Sequence, residues 1–171
     1  MKELKVGRAL DRNAQVSCLI NQRAIDRVDT IVQADLAAGA TLMCGGHRLL
    51  ELGPLFYSPT VLRDVKPNMQ SMRMEIFGPV APIYKFESED EALRIANDTE
   101  FGLAGYLFTN DLRRTFKFQA LEVGMLAVNS GVLSAESAPF GGVKQSGFGR
   151  EGSKLGVDDF MEVKQISIQY M

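Results

Sequence analysis

Pro79-Val80-Ala81-Pro82-Ile83-Tyr84-Lys85-Phe86-Glu87-Ser88-Glu89-Asp90-Glu91-Ala92-Leu93 passes from an apolar run into a helix start with almost no linker. The run to Phe86 reads as a strand. Ser88 and Glu91 then form a capping box, in which the hydroxyl and the carboxylate satisfy backbone donors at the start of a helix carrying Leu93, Ile95 and Ala96. Downstream the pattern repeats: Gly105 to Phe108 reads as a strand and Met125 to Val128 as another. Between them, Asp111 to Glu122 reads as a helix with Leu112, Phe116 and Ala120 on its apolar face. Upstream, Asn21 is placed to cap a helix with Ile25, Val28, Val32 and Leu36 at helical spacing, and Gly39 to end it. Thr41 to Cys44 and Thr60 to Leu62 follow as short strands. Such alternation predicts an α/β fold with a largely parallel sheet, whose functional loops gather at the carboxyl ends of the strands. Asn129 to Glu136 leaves one such end.

The bulk properties narrow the function. The chain has 171 residues, 46% hydrophobic and 23% charged, with a net charge of −2, which suits one soluble core. No basic run offers a footprint for nucleic acid, and no apolar stretch has the length of a membrane span. Met1 to Gly7 lacks the apolar core of a secretory signal, so the expected compartment is cytoplasmic, or mitochondrial should a targeting segment precede it. Cys18 and Cys44 are too few for a disulfide framework, and with His47 as the only histidine no zinc-type spacing arises. No metal site is expected.

Pro139 to Gly152 packs glycines around Phe140 and Phe148, a composition that fits backbone closely shaped against something. Gly147-Phe148-Gly149-Arg150-Glu151-Gly152 matches the letters of a dinucleotide fingerprint. The match fails on context. A fingerprint follows a buried apolar strand, whereas Gly141 to Ser146 is polar and glycine-rich.

Chemistry is better placed at Glu75-Ile76-Phe77-Gly78-Pro79-Val80. If this stretch is extended, Glu75 and Phe77 point the same way. A carboxylate accepts two hydroxyl hydrogen bonds, as from a ribose diol, and a phenyl ring offers a flat wall to a heterocycle. Taken alone, the pair also reads as a solvated glutamate beside a core phenylalanine.

Four motifs occur in order: Glu75 to Val80, Ala96-Asn97-Asp98-Thr99-Glu100-Phe101-Gly102-Leu103-Ala104, Val128-Asn129, and Pro139-Phe140-Gly141-Gly142-Val143-Lys144-Gln145-Ser146-Gly147. Together they resemble the carboxy-terminal part of the NAD(P)-dependent aldehyde dehydrogenase superfamily over essentially the whole chain. Gly149 to Gly156, and Leu133-Ser134 before Pro139-Phe140, are most similar to its succinate-semialdehyde dehydrogenase branch.

The resemblance implies a partial catalytic domain over residues 1–157 and an oligomerisation tail over 158–171. It implies that Glu75 binds the nicotinamide-ribose hydroxyls of NAD or NADP and that Phe77 packs by the nicotinamide. Phe140 would line the aldehyde tunnel, and Ser134 would hydrogen-bond the distal carboxylate of the substrate; a loop serine bonded to local backbone is the other account. Glu151 resembles a proton-relaying glutamate of some relatives, against which stands an arginine-paired surface carboxylate. Neither Cys18 nor Cys44 matches the family's nucleophile, so no catalytic residue is assigned, and turnover by this chain alone is not expected.

The final segment alternates Val163, Gln165 and Ser167 against Lys164, Ile166 and Ile168, which reads as a terminal strand from Phe160 donated to a partner subunit. Two functions therefore stand: part of an aldehyde-oxidising enzyme, active with a small-molecule aldehyde as a homo-oligomer, or a non-catalytic assembly module.

Overall fold

A computed structural model describes residues 1–170; Met171, the last residue of the expected tail, lies outside them. The chain divides into two compact units, Met1–Glu87 and Ser88–Met171.

In the first unit, helix α1 (Gln22–Ala37) starts where Asn21 accepts a hydrogen bond from the Ala24 amide through its side chain. It ends before Gly39, whose φ of +101° suits a residue without a Cβ. Strands β1 (Thr41–Cys44), β2 (Thr60–Arg63) and β3 (Val80–Ile83) form one sheet in that order, with β1–β2 antiparallel and β2–β3 parallel. Short helix α2 (Gln70–Arg73) lies in the β2–β3 connection. The predicted helix face is the core face: Ile25, Val28 and Val32 are fully buried and Leu36 packs at their edge, together with Tyr57, Leu62, Val65 and Met69. Each fully buried aliphatic side chain contributes about 1.5–3 kcal/mol.

Asp35, on the same helix and 1% exposed, accepts hydrogen bonds from the amides of Gln70 (2.9 Å) and Ser71 (3.2 Å), which start α2. A buried carboxylate is tolerated there because unpaired amide donors need an acceptor. Asp29 ties the outer side of α1 to the loop before β2: it accepts from the Tyr57 hydroxyl and from Arg48 Nε, each at 3.0 Å. Burial, then the hydrogen bond to Asp29, raises the Tyr57 pKa well above its ordinary value.

In the second unit, α3 (Glu89–Asn97) begins with the Ser88 half of the expected box, the Glu91 amide donating to Ser88 Oγ at 3.1 Å. Strands β4 (Phe101–Gly102) and β5 (Ala104–Leu107) follow, then α4 (Leu112–Phe118), β6 (Met125–Val128) and β7 (Val143–Lys144). β5 and β6 pair in parallel across the α4 crossover, while β4 and β7 pair antiparallel.

Three expectations need correction. Among the described residues, the single largely parallel sheet is instead three small sheets, two of whose pairings are parallel. Helix-strand alternation foretells the crossover between consecutive strands; it says nothing of β7 returning to β4 from across the sequence. Helix α4 also stops early, and Leu112 and Phe116 are 67% and 62% exposed while Phe118 is buried. A seven-residue helix with apolar residues on two faces leaves periodicity without power to choose the inner one. Finally, Phe160 ends a 3-10 helix (Lys154–Phe160) instead of opening a strand; 161–170 is exposed and pairs with no strand of this chain among the described residues, and its pairing with a partner subunit stays an expectation. Without a neighbour to take its amides and carbonyls, such a segment keeps them in water.

Candidate functional site

Two hollows, one in each unit, carry three of the four predicted residues, Phe77 in the first and Ser134 and Phe140 in the second; Glu75 lines neither. In the second unit a cavity of about 400 Å³ is lined by Leu133, Ser134, Glu136, Phe140, Glu151 and Gly152, among others. The sequence separates Ser134 from Phe140, and the fold brings both onto one wall. The wall is held by backbone: Phe140 and Glu151 exchange two hydrogen bonds, at 2.8 and 2.7 Å, and the Ser153 amide donates to the Glu136 carbonyl at 3.0 Å. Phe140 is 40% exposed, so its ring keeps an open face.

The glycine-rich loop is shaped by its own contacts. Arg150 Nη1 donates to the carbonyls of Gly142 (2.8 Å) and Gly149 (2.7 Å). Gly149 has a φ of +76°, and a Cβ there would stand 2.1 Å from the Asp159 carboxylate. Lys144 of the same motif has its ammonium on the carbonyls of Asn97 (2.8 Å) and Thr99 (3.1 Å) and on Glu122. Asn97 in turn accepts from the Glu122 amide and donates to the Ala120 carbonyl, each at 2.9 Å. Two of the four quoted motifs thus contain side chains that tie distant stretches of backbone together.

In the first unit, Phe77 lines a hollow of about 710 Å³ with Cys18, Asn21, Arg23, Ala24 and Arg27, among others. Its φ is +49°, so the stretch is not extended and Glu75 and Phe77 do not share a side by strand geometry. A Cβ on Gly78 would come within 2.6 Å of Val28 Cγ2, so the backbone there packs closely on the buried face of α1, with Phe77 just before it turned outward. Phe77 is 72% exposed and Glu75 is also exposed. The Arg27 guanidinium stands 5.9 Å from the Phe77 ring centroid.

The remaining candidates hold local roles. Cys18 is exposed, Cys44 Sγ lies 3.7 Å from the Pro59 carbonyl, and His47 Nδ1 lies 3.1 Å from the Gly45 carbonyl. Among the described residues no group of three or more His, Cys, Asp or Glu could hold a metal ion, and no helix is long and apolar enough to cross a membrane.

The sequence model of the aldehyde dehydrogenase family matches residues 1–166. The chain belongs to the aldehyde dehydrogenase family. Mitochondrial succinate-semialdehyde dehydrogenase of Arabidopsis thaliana is 49% identical over 169 residues, covering 98% of this chain and 32% of its own. The NADP(+) succinate-semialdehyde dehydrogenase GabD of Escherichia coli (strain K12) is 43% identical over 169 residues, covering 98% of this chain and 35% of its own. The crystal structure of succinate-semialdehyde dehydrogenase from Burkholderia pseudomallei superposes with a TM-score of 0.90 at 51% identity, over 93% of this chain and 33% of that one. This aldehyde dehydrogenase chain therefore spans about a third of the length of these relatives.

Arg27 is the residue that sequence reasoning missed. Its only local signal is its place four residues after Arg23 on the polar side of α1; the partner ring is 50 positions away.

Proposed function

We propose that the chain acts as the carboxy-terminal part of an NAD(P)-dependent aldehyde dehydrogenase that oxidises succinate semialdehyde to succinate. The observation that carries this reading is the single hollow shared by Ser134 and Phe140, a polar donor and an aromatic wall held by the Phe140–Glu151 backbone pair. The names of the similar enzymes support the same substrate.

Each residue has a separate task. Phe140 excludes water along the aldehyde, and the Ser134 hydroxyl donates to the distal carboxylate, a charge-assisted bond that a neutral aldehyde does not form. Glu75 would hold the ribose through its carboxylate, and Phe77 would supply a flat wall to the nicotinamide. The exposed ring of Phe77 fits such a planar group. When bound, the dinucleotide accepts the hydride. The nucleophile and general base come from outside these residues, so the chain alone is inactive. NAD and NADP both remain compatible, since Glu75 and Phe77 contact the part common to the two.

The 171-residue chain is assayed with succinate semialdehyde and NAD or NADP, alone and joined to the two thirds of the Burkholderia enzyme that it does not match. Turnover only in the joined protein is expected. Turnover by the chain alone overturns the claim about the nucleophile, and an inactive but folded joined protein overturns the enzyme reading.

A second reading, a non-catalytic assembly module, draws on the exposed tail, where Val163, Ile166, Ile168 and Tyr170 are 102%, 75%, 70% and 89% accessible. An unpaired apolar segment of this kind favours association with another copy. Sedimentation of the full chain against a chain ending at Val157 tests it; equal mass for both removes it.

A further inference from the structure

We infer that Arg27 is a positioning residue for Phe77, fixing the ring and biasing the hollow toward the uncharged, reduced form of a nicotinamide. The inference rests on the cofactor reading of Phe77. Val28 is 1% exposed and packs under Gly78, so α1 is fixed against the Phe77–Gly78 backbone. Arg27, one residue earlier and half-buried, is carried beside the ring by that packing. A phenyl ring that is 72% exposed on a left-handed backbone has little else to fix its rotamer. The guanidinium, 5.9 Å from the ring centroid, is within cation–π range.

Two consequences follow from this geometry. One ring face is engaged by the cation, and the other is left for a planar heterocycle. The oxidised nicotinamide ring is itself a cation, and a second positive charge across one phenyl thickness disfavours it relative to the neutral dihydro form. Arg23, one helical turn earlier in the same hollow, adds to that positive field.

The test uses the 171-residue chain with carbon-13-labelled phenylalanine rings, the Phe77 signal assigned with Phe77→Leu. Wild type, Arg27→Lys and Arg27→Leu are compared without ligand, then titrated with oxidised and with reduced nicotinamide mononucleotide. Unchanged dispersion of the remaining ring signals shows that each variant is folded. The expectation is that Arg27→Leu frees the Phe77 ring and Arg27→Lys largely retains it. The ratio of dissociation constants, oxidised over reduced, should fall about twofold in Arg27→Leu, the Coulomb effect of one unit charge roughly 9 Å away in a near-aqueous site. An unmoved Phe77 signal in Arg27→Leu overturns the inference whatever the nucleotides do. An unchanged ratio overturns its charge half. If neither mononucleotide shifts Phe77 in any form, the cofactor reading fails, while a freed ring in Arg27→Leu still supports the positioning role.

Discussion

Asn129 and Thr109 are joined by two hydrogen bonds running in opposite senses: the Thr109 amide donates to Asn129 Oδ1 and Asn129 Nδ2 donates to the Thr109 carbonyl, each at 2.8 Å. The side chain thereby acts as one more rung of the β5–β6 ladder, just past its last residue pair, Leu107 and Val128. Asn129 also holds a φ of +55°, which asparagine tolerates better than most residues. Asn129→Ala should lose both bonds and keep the backbone strain, at a cost of about 1–2 kcal/mol. Asn129→Gly should recover part of that loss by relieving the strain. The midpoint of urea unfolding measures both, and an alanine variant as stable as wild type refutes the rung.

Asp35 makes a sharper case because it is buried. Asp35→Ala leaves the amides of Gln70 and Ser71 without their acceptor, for a loss of about 2–3 kcal/mol. Asp35→Asn should restore less than half, since its amide group presents a donor to one of the two N–H groups. Denaturant unfolding of the three proteins decides it; full recovery by asparagine would show that a single bond suffices.

These residues show what could be read ahead of the structure. The Asn21 cap, the Ser88 cap and the α1 core face are legible because local spacing within a turn or two determines them. Asn97, Asn129 and Lys144 stood out in motifs, yet their work of binding distant carbonyls and amides depends on contacts 20 to 47 positions apart. The same limit explains Phe77. Extended geometry is the default for Glu75 to Val80; the left-handed Phe77 stands just before Gly78, whose close packing on Val28 of α1 is a contact 50 positions away in sequence. Ser134 and Phe140 were paired through the family resemblance; the hollow that joins them is made by Glu151 from the far side of the glycine-rich loop.

Alkaline titration should expose Tyr57. Its folded pKa is raised, first by burial and then by the hydrogen bond to Asp29, whereas the unfolded chain ionises near about 10. Above that pH the unfolded state has released a proton the native state still holds, so this contribution is intact below about pH 10 and declines as pH rises further. Tyr57→Phe should flatten the decline between about pH 10 and pH 11 while lowering stability at neutral pH through the lost bond to Asp29. Unfolding curves at successive pH values measure the slope, and an identical slope in the variant removes Tyr57 as its source.

Ser134 offers the most direct test of substrate class. In the enzyme formed by joining this chain to the remaining two thirds of the Burkholderia relative, Ser134→Ala should lower kcat/KM for succinate semialdehyde by roughly tenfold to a hundredfold, the worth of one hydrogen bond to a charged group. A neutral aldehyde of similar length makes no such bond and should react at nearly the wild-type rate. Phe140→Ala should act differently, because under the proposed function the ring would touch any aldehyde in the hollow and its loss would admit water beside both substrates. The ratio of kcat/KM values for the two aldehydes therefore separates the roles: Ser134→Ala changes it and Phe140→Ala largely preserves it. Equal losses on both substrates in Ser134→Ala would instead assign that hydroxyl to holding the loop between Leu133 and Phe140.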